Sequence, residues 1–474
     1  MHMPVLPVLP VLRSRRGGSR RWGGTDPVEE PRAGMGPAVG LCGVATVLAG
    51  VVAYGTHPIW AQYPHGMDFI LLSRQLQWPF IVLSLIATLA LLTTVIAGRR
   101  STWWLIGLAP VLALFGHRFA TDPTSGMAAI DNPAFVTPEA SAEFIDNDDY
   151  VVGLTFEGKN YAYPYAALYS TPAVIHADHD KRLLVMWSAP ANRALAFTVT
   201  RDVKARDLDI VSTPANALLI YDTSRGVFIN GLTGRTNAGE KPLGFLSPVP
   251  TAKMQWWKWR VLFPETQVMA PLGGLAAKAP RQPMQATCPL PPGDTKHAAD
   301  LKVVLVGTQS PVAVQMSSLG AAPVNLTADG VPVMVFRDPT TSTPRAFRRK
   351  IDDMTPRFKA NRDPKRSGVL FIDNDTNSGW NAAGVAIEAR KEFRGKRLPP
   401  VPVDDEVPWG VAKYWYPQLQ LLNGENGAPQ AVIELKGTAG SAVGTTLSPS
   451  GQDASKGQPQ KTSTLSVKPS RSRR

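Results

Sequence analysis

The feature that most constrains the fold of this 474-residue chain is a pattern that occurs twice, about 150 residues apart. Leu183–Phe197 consists of an apolar run, a short turn and a second run. The same arrangement returns at Val333–Phe347, where Pro339 takes the place of Pro190. Apolar runs on both sides of a turn are typical of a β-hairpin.

Two further pairs of segments keep the same order and nearly the same spacing. A hairpin-like run with an Asp/Ser/Gly turn lies at Leu218–Phe228 and again at Val369–Trp380, and a Leu-x-Pro-x-Pro motif precedes Trp257 and again Trp409. Three ordered matches indicate an internal duplication. We therefore predict N-terminal membrane helices followed by a mainly-β region of two tandem β-rich units with short covering helices.

Three apolar segments lie before the repeat. Residues 35–55 and 79–98 carry no charged side chain, and each is long enough to span a bilayer. Residues 103–119 are shorter and contain Pro110, so a re-entrant or surface helix is an alternative for the third segment. The sequence predicts three membrane-spanning helices.

The arginines near these segments predict their orientation. Arg13–Arg21 precede the first segment, and Arg99 and Arg100 lie between the second and the third. Basic residues that flank spanning helices stay in the cytoplasm. The chain is thus expected in the cytoplasmic (inner) membrane as a multi-pass protein, with its large C-terminal region on the periplasmic or extracellular side.

Composition completes the predicted domain plan. The ends of the chain are rich in Pro, Gly, Ser and basic residues and lack an apolar pattern, which is typical of disorder. The predicted segments are a disordered cytoplasmic N-terminus (1–33), the membrane helices (34–119), the first unit (120–270), a linker (271–298), the second unit (299–435) and a disordered basic tail (436–474).

The net charge of +13 does not predict nucleic-acid binding, because much of it lies in these two ends. The expected partners are the lipid bilayer and other membrane protein subunits. The chain has two cysteines, Cys42 in an apolar segment and Cys288 in the linker, so we expect neither a disulfide nor a cysteine metal site.

Several motifs of the first unit share an order and spacing with a known family. They are Asp131-Asn-Pro-Ala-Phe135, Val151-Val-Gly153, Ala162-Tyr163-Pro164, Leu232-Thr233-Gly234 and a tryptophan-bearing segment that ends near Phe263. Between residues 131 and 267 the chain resembles the bacterial domain-of-unknown-function family DUF3179. The second unit resembles a diverged copy through Val335–Pro339 and Gly379-Trp380.

The chain departs from that family at two places. Members usually have a Tyr-Cys-Pro-x-Cys-Gly turn where this chain has Trp187–Arg193, and a Trp-His-Glu near the position of Tyr169–Pro172. Here Ser170, Thr171 and Pro172 replace the polar triplet, and the turn has no cysteine. The resemblance therefore implies a fold, whereas the chemistry of that cluster is not expected in the same form.

The remaining candidate residues have a structural as well as a functional interpretation. His176, Asp178 and His179 are weak candidates for a metal site, although the same residue types are common in solvated turns. The repeated Trp257 and Trp409 are expected to be buried under a helix. Trp256 and Arg260 are expected to be exposed and to contact a partner protein. The list of predicted structural motif residues is Tyr163, Pro164, Pro190, Leu232, Thr233, Gly234, Trp257, Pro339, Trp380 and Trp409.

No nucleophile elbow, phosphate loop or His-Glu-x-x-His motif occurs, so we predict no catalytic residue and no cofactor. The function expected from the sequence is that of a membrane-anchored, non-enzymatic accessory or structural subunit of a membrane protein complex. The alternatives are an extracytoplasmic metal- or redox-dependent enzyme and an envelope sensor that binds a ligand between the two units.

Overall fold

The computed structural model describes residues 36–97, 106, 108–121, 126–236, 241–242, 246–272, 279–290, 301–389 and 393–422. The predicted disordered segments 1–33 and 436–474 lie outside these residues. The described chain consists of N-terminal helices followed, from about residue 126, by a mainly-β region with several sheets.

Helices occupy all three apolar segments. Their bounds are α1 (Gly36–Tyr54), α2 (Gly66–Gln75), α3 (Gln77–Ala97) and α4 (Ala109–Thr121), with a short 3₁₀ helix at Pro58–Gln62. Small side chains bring the long helices together: Ala45 and Ala49 of α1 pack with Ala87 of α3 and Val111 of α4. Among the described helices, the stretch Gln77–Ile96 is long and apolar enough to cross a membrane, and Ala38–Tyr54 is a shorter apolar helix.

The first half of the β-region contains three five-stranded sheets, with orders β1-β5-β6-β7-β13, β12-β11-β10-β9-β8 and β14-β3-β4-β15-β2. The strands are β1 (Ala129–Asp131), β2 (Phe135–Val136), β3 (Tyr150–Phe156), β4 (Lys159–Pro164), β5 (Ala173–Asp178), β6 (Lys181–Ser188), β7 (Arg193–Val199), β8 (Leu208–Ser212), β9 (Leu219–Asp222), β10 (Val227–Asn230), β11 (Arg235–Thr236), β12 (Lys241–Pro242), β13 (Leu246–Val249), β14 (Thr251–Gln255) and β15 (Gln267–Met269). Helix α5 (Tyr165–Ser170) follows β4, and α6 (Trp256–Leu262) follows β14.

The second half contains sheets of order β25-β16-β17-β26, β18-β19-β20 and β21-β22-β23-β24. The strands are β16 (Lys302–Val306), β17 (Val312–Gln315), β18 (Val324–Ala328), β19 (Val331–Arg337), β20 (Pro344–Arg348), β21 (Phe358–Ala360), β22 (Phe371–Asp373), β23 (Gly379–Trp380), β24 (Ala386–Glu388), β25 (Val403–Pro408) and β26 (Leu421–Leu422). Helix α7 (Trp409–Trp415) follows β25 directly.

Strand pairing follows one scheme in both halves. In the first half β3 is antiparallel to β14 and β4, and β15 runs parallel to β4. In the second half β16 is antiparallel to β25 and β17, and β26 runs parallel to β17. The hairpin pair β6–β7 has its counterpart in β19–β20, so both predicted hairpins are confirmed.

In each half a glycine lies directly against a phenylalanine ring. Gly234, at φ +67°, has the ring of Phe197 so close that an added Cβ would lie 2.4 Å from it. Gly384, at φ +71°, stands in the same relation to Phe347, at 2.9 Å. A side chain at either glycine would strain the backbone and displace a core ring.

The prediction for the paired tryptophans is wrong by one residue in the first half. Trp256, not Trp257, is the first residue of α6, as Trp409 is of α7. Trp256 and Trp409 are 2% and 6% exposed, whereas Trp257 is 38% exposed. The expectation that Trp256 is exposed is therefore wrong, and the exposed tryptophan is Trp257. Arg260 is exposed as expected.

Part of the predicted linker packs on the first half. Arg281 forms ion pairs of 2.9 Å with Asp146 and with Asp149. Asn216 donates through Nδ2 to the Cys288 carbonyl at 2.8 Å, and Leu290 is buried in the core. Residues 279–290 are thus attached to the β-region through these contacts.

Candidate functional site

The turn between β6 and β7 is the first candidate site, because the family resemblance implies a polar cluster at this position. In this chain a 3₁₀ turn at Ala189–Ala191 contains Pro190, and Asn192 takes a left-handed conformation at φ 47°. Asparagine tolerates that backbone region better than most residues. The turn delivers Arg193 into the contact between the two halves, where its side chain is fully buried.

Buried charges from both halves meet at this turn. Arg193 Nη1 lies 2.8 Å from Asp404 Oδ2, and Lys253 Nζ lies 3.2 Å from Asp404 Oδ1. Exposure of the three side chains is 2% or less. Opposite charges attract strongly in a region of low dielectric. Each buried charge also loses its hydration, so every one of them needs a partner of opposite charge or a hydrogen bond.

Backbone carbonyls complete the coordination of the two cations. Arg193 donates through Nε to the Leu232 carbonyl at 3.3 Å and through Nη2 to the Gly307 carbonyl at 3.2 Å. Lys253 Nζ donates to the Asn192 carbonyl and, at 2.6 Å, to that of Asp405. We call Arg193, Lys253, Asp404 and Asp405 the interface ion cluster.

An irregularity in β25 places its acids toward this cluster. The register of β25 against β16 shifts between Val303 and Leu305, and Glu406 has a positive φ of 54°. A bulge of this kind inserts one residue and redirects the side chains beside it. Asp404 and Asp405, adjacent in sequence, consequently both reach Lys253 Nζ, Asp405 at 3.8 Å.

Burial sets the protonation behaviour of groups near the cluster. It raises the pKa of Asp405 to about 6, against the effect of the Lys253 cation, while Glu406 and Asp404 add to the rise. Burial also raises the pKa of Tyr165 well above its ordinary value. The Tyr165 hydroxyl donates to Asn192 Oδ1 at 2.8 Å, and its ring packs on Trp187 with centroids 4.4 Å apart.

The three weak metal candidates do not converge on one point, although His179 Nε2 lies 3.7 Å from Asp178 Oδ1. His176 points into the core, 3% exposed, with Nδ1 2.8 Å from the Tyr163 hydroxyl, whereas the His179 side chain is 83% exposed. Asp178 is held by Lys159 at 2.7 Å and accepts from the Tyr161 hydroxyl at 3.2 Å. Among the described residues no group of three or more His, Cys, Asp or Glu is arranged to hold a metal ion.

His176 is expected to make stability depend on pH. Burial lowers the pKa of His176 from 6.5 to about 4, so the folded state favours the neutral ring. The resulting stabilisation, about 3 kcal/mol, is present above pH 6.5 and is lost as the pH falls from there toward 4. Between pH 7 and pH 4 the denaturation midpoint of the wild type should therefore fall further than that of His176→Gln, because the variant lacks this titration.

His179→Gln is the matched control, since that side chain is exposed. Its midpoints should run parallel to those of the wild type over the same pH range. Parallel curves for His176→Gln would show that His176 does not couple folding to protonation.

The remaining motif residues lie in turns and in the core. Asn230 Oδ1 accepts from the backbone N–H groups of Leu232 and Thr233, which orders the turn leading to Gly234. Trp380 is fully buried and donates through Nε1 to Asp373 Oδ2 at 3.3 Å. Tyr163 is buried on β4 and followed by Pro164, and Pro339 lies in the turn between β19 and β20. These residues have structural roles.

The interface ion cluster was not predicted from the sequence. The one available signal is the run Asp404-Asp405-Glu406 inside an apolar strand, because carboxylates at core positions need buried cations nearby. The cations come from Arg193 and Lys253, which are distant in the chain. What the cluster can do chemically is hold the two halves in a fixed relation.

Comparison with known proteins gives one match. A family model described as "Protein of unknown function (DUF3179)" covers residues 124–424, which include both halves of the β-region and extend beyond the first-unit resemblance. No curated protein and no solved structure matches the chain. With most of its length covered by the family model, this chain belongs to the DUF3179 family.

Proposed function

We propose that this chain is a membrane-anchored accessory or structural subunit of a membrane protein complex, with its β-region outside the cytoplasmic membrane. The observation that carries the proposal is the packing of the helical segment on the β-region. The connector, defined as residues 55–76 between α1 and α3, contributes Ala61 and Ile70 to a buried cluster that includes Ala215, Trp415 and Leu419.

Polar contacts supplement this apolar docking. Arg74 forms an ion pair with Asp209, and its guanidinium carbon lies 5.0 Å from the centre of the Tyr221 ring. Ile70 is fully buried. A flexible tether would need none of these contacts, so they favour a rigid coupling between the helices and the β-region.

The connector also bears on topology. If α1 and α3 cross the membrane, the connector lies on one side, and it contacts the β-region that follows α4. The chain reaches that side again only if it crosses once more between α3 and the β-region. This favours a third crossing near α4 and, with the flanking arginines in the cytoplasm, an external β-region.

The helices leave apolar surface for lipid or for partner helices. Exposed side chains of α3 include Val82, Leu85, Ile86 and Leu89, at 50–57% exposure. Exposing such an apolar surface to water is unfavourable in free energy, whereas in a bilayer the same side chains contact the apolar lipid chains. One helix would suffice as an anchor, so additional apolar helices favour assembly with other membrane subunits.

We further propose that the two halves arose by duplication. The supporting observations are the common pairing scheme of their strands and the repeated pair of a glycine and a phenylalanine ring. In both halves the Leu-x-Pro-x-Pro motif lies beside that ring, through Pro248 opposite Phe197 and Pro400 opposite Phe347. Loss of the turn cysteines with retention of this scaffold agrees with a structural role.

Reporter fusions test the membrane arrangement. A periplasmically active reporter inserted after Lys159 should be active, and the same reporter at Arg99 should be inactive, because the two sites are expected on opposite sides of the membrane. A cytoplasmically active reporter provides the reciprocal control. A cytoplasmic result for the Lys159 insertion would contradict the external β-region.

Site-specific photo-crosslinking in the membrane tests the subunit role. Probes at the exposed Leu85 and Leu89 should give a discrete crosslinked protein, and a probe at Leu91, fully buried between helices, is the matched control. The complex isolated in mild detergent should contain the same protein in stoichiometric amount. Crosslinks to lipid alone from all three positions would overturn the assignment as a subunit.

A further inference from the structure

A cleft of about 350 Å³ opens between the two halves, close to the interface ion cluster. One wall comes from β3 and β14 with Trp259 and Phe263 of the first half. The other comes from β20 with Phe347 and from the segment that leads to β25. This volume lies in the range of sites for small organic molecules.

The charged residues that line the cleft among the described residues are both arginines, Arg345 and Arg397. Arg345 Nε lies 3.1 Å from Asp338 Oδ2, and Nη1 donates to the Ala382 carbonyl at 3.3 Å. These contacts fix the plane of its guanidinium. Asp338 balances the charge of Arg345, whereas Arg397 is exposed and forms no ion pair with a described carboxylate, so Arg397 is the source of the uncompensated positive charge in the cleft.

Most of the remaining lining is apolar, and it includes three aromatic residues, Trp259, Phe263 and Phe347. Trp259 lies flat against Gly153, where an added Cβ would be 2.4 Å from the ring, and its Nε1 donates to Thr266 at 2.9 Å. Phe263 packs on Trp259 with ring centroids 4.2 Å apart. Trp259 and Phe347 are 2% and 6% exposed and contribute little accessible ring surface, so the half-buried Phe263 is the ring that the cleft exposes.

The corresponding position in the other half of the fold is closed. There Tyr416, which follows α7 as Phe263 follows α6, donates to the Thr308 carbonyl at 2.9 Å. Arg193, the first residue of β7, fills the space beside Tyr416. The equivalent residue in the second half, immediately before β20, is the smaller Thr343. The duplicated scaffold thus packs one of these two spaces with its own side chains and leaves the other open.

We propose that the open cleft binds a small aromatic carboxylate. The carboxylate pairs with Arg397, whose guanidinium matches its two oxygens in charge and geometry, and lies near Arg345, which Asp338 already binds. The ring packs against Phe263 and the apolar part of the lining. The inference uses the duplication but does not depend on a role as a subunit, because a ligand site and a partner surface are separate features.

Titration calorimetry on the full-length chain in mild detergent tests the proposal, with benzoate as probe and benzamide and inorganic phosphate as comparisons. Benzoate should bind, and the neutral benzamide should bind about tenfold more weakly or worse, because it lacks the charge that the arginines recognise. Phosphate should also be weaker, because it lacks the ring. Equal binding of benzamide or of phosphate would overturn the proposed recognition.

Variants locate the site. Arg397→Gln should weaken benzoate binding about tenfold or more. Arg394→Gln, an exposed arginine outside the lining, should leave it unchanged. Ala383→Trp, which places a ring at the exposed rim, should also block binding. Failure of the wild type to bind benzoate, or wild-type affinity in Arg397→Gln with an unchanged melting temperature, would overturn the assignment.

Discussion

Replacing Asp404 by alanine is expected to destabilise the protein by about 3–5 kcal/mol, because the buried Arg193 would lose its counter-charge and the buried Lys253 would lose the nearer of its two carboxylates. Asp404 forms ion pairs with Arg193 at 2.8 Å and with Lys253 at 3.2 Å, and it accepts a hydrogen bond from the backbone N–H of Ala194 at 3.4 Å. Without the carboxylate, both cations stay desolvated at the contact between the halves. Denaturant unfolding of the full-length chain in detergent measures the effect.

Two comparisons separate this effect from a general loss of charge. Asp180→Ala removes an exposed partner of Arg201 and should leave the unfolding midpoint unchanged. The double variant Arg193→Met with Asp404→Leu should recover part of the lost stability, since it removes one of the two buried cations and leaves Lys253 with Asp405, 3.8 Å away. A double variant as unstable as the sum of its single changes would show that Arg193 and Asp404 are not energetically coupled.

Local patterns in the sequence were sufficient for the hairpins and for their turns. Asp222 Oδ1 accepts from the backbone N–H groups of Ser224 and Arg225, and Asp373 Oδ1 accepts from that of Thr376, as expected for side chains that close tight turns. These interactions involve neighbours in the chain. The turn residues alone are therefore sufficient to predict these turns.

Long-range features were not accessible in the same way. The interface ion cluster joins Arg193 to Asp404 across the two halves, and no local pattern specifies that pairing. The open cleft likewise depends on how β14 and β20 lie relative to each other. For the membrane helices, composition indicated three spans, whereas length and hydropathy together single out Gln77–Ile96 among the described helices.

The error in pairing the tryptophans has a specific physical cause. The Leu-x-Pro-x-Pro motifs match at one spacing, but Trp409 follows its motif by one residue more than Trp256 does. The additional residue lies in the bulge of β25, where Glu406 takes a positive φ. A bulge adds one residue to the sequence without changing where the following helix begins in the fold. A match at constant sequence spacing therefore pairs Trp409 with Trp257 instead of Trp256.

Alanine at Trp256 and alanine at Trp257 are therefore expected to have very different effects, although the two residues are adjacent and identical in type. Trp256 is 2% exposed and packs with Ile145, Val151 and Met254, so its truncation should cost about 3–5 kcal/mol. Trp257 is 38% exposed, with Lys258 Nζ 5.6 Å from its ring centre, so its loss should cost less than about 1 kcal/mol.

Denaturant midpoints of the two variants, measured side by side, distinguish the structural alignment from the sequence alignment. The structural alignment sets Trp256 and Trp409 at the same helix start, so Trp409→Ala should resemble Trp256→Ala in its loss of stability. Wild-type stability in Trp256→Ala, together with a large loss in Trp257→Ala, would restore the pairing at constant spacing. In that case α6 would have to begin one residue later and turn its other face to the core, because adjacent helical positions point about 100° apart.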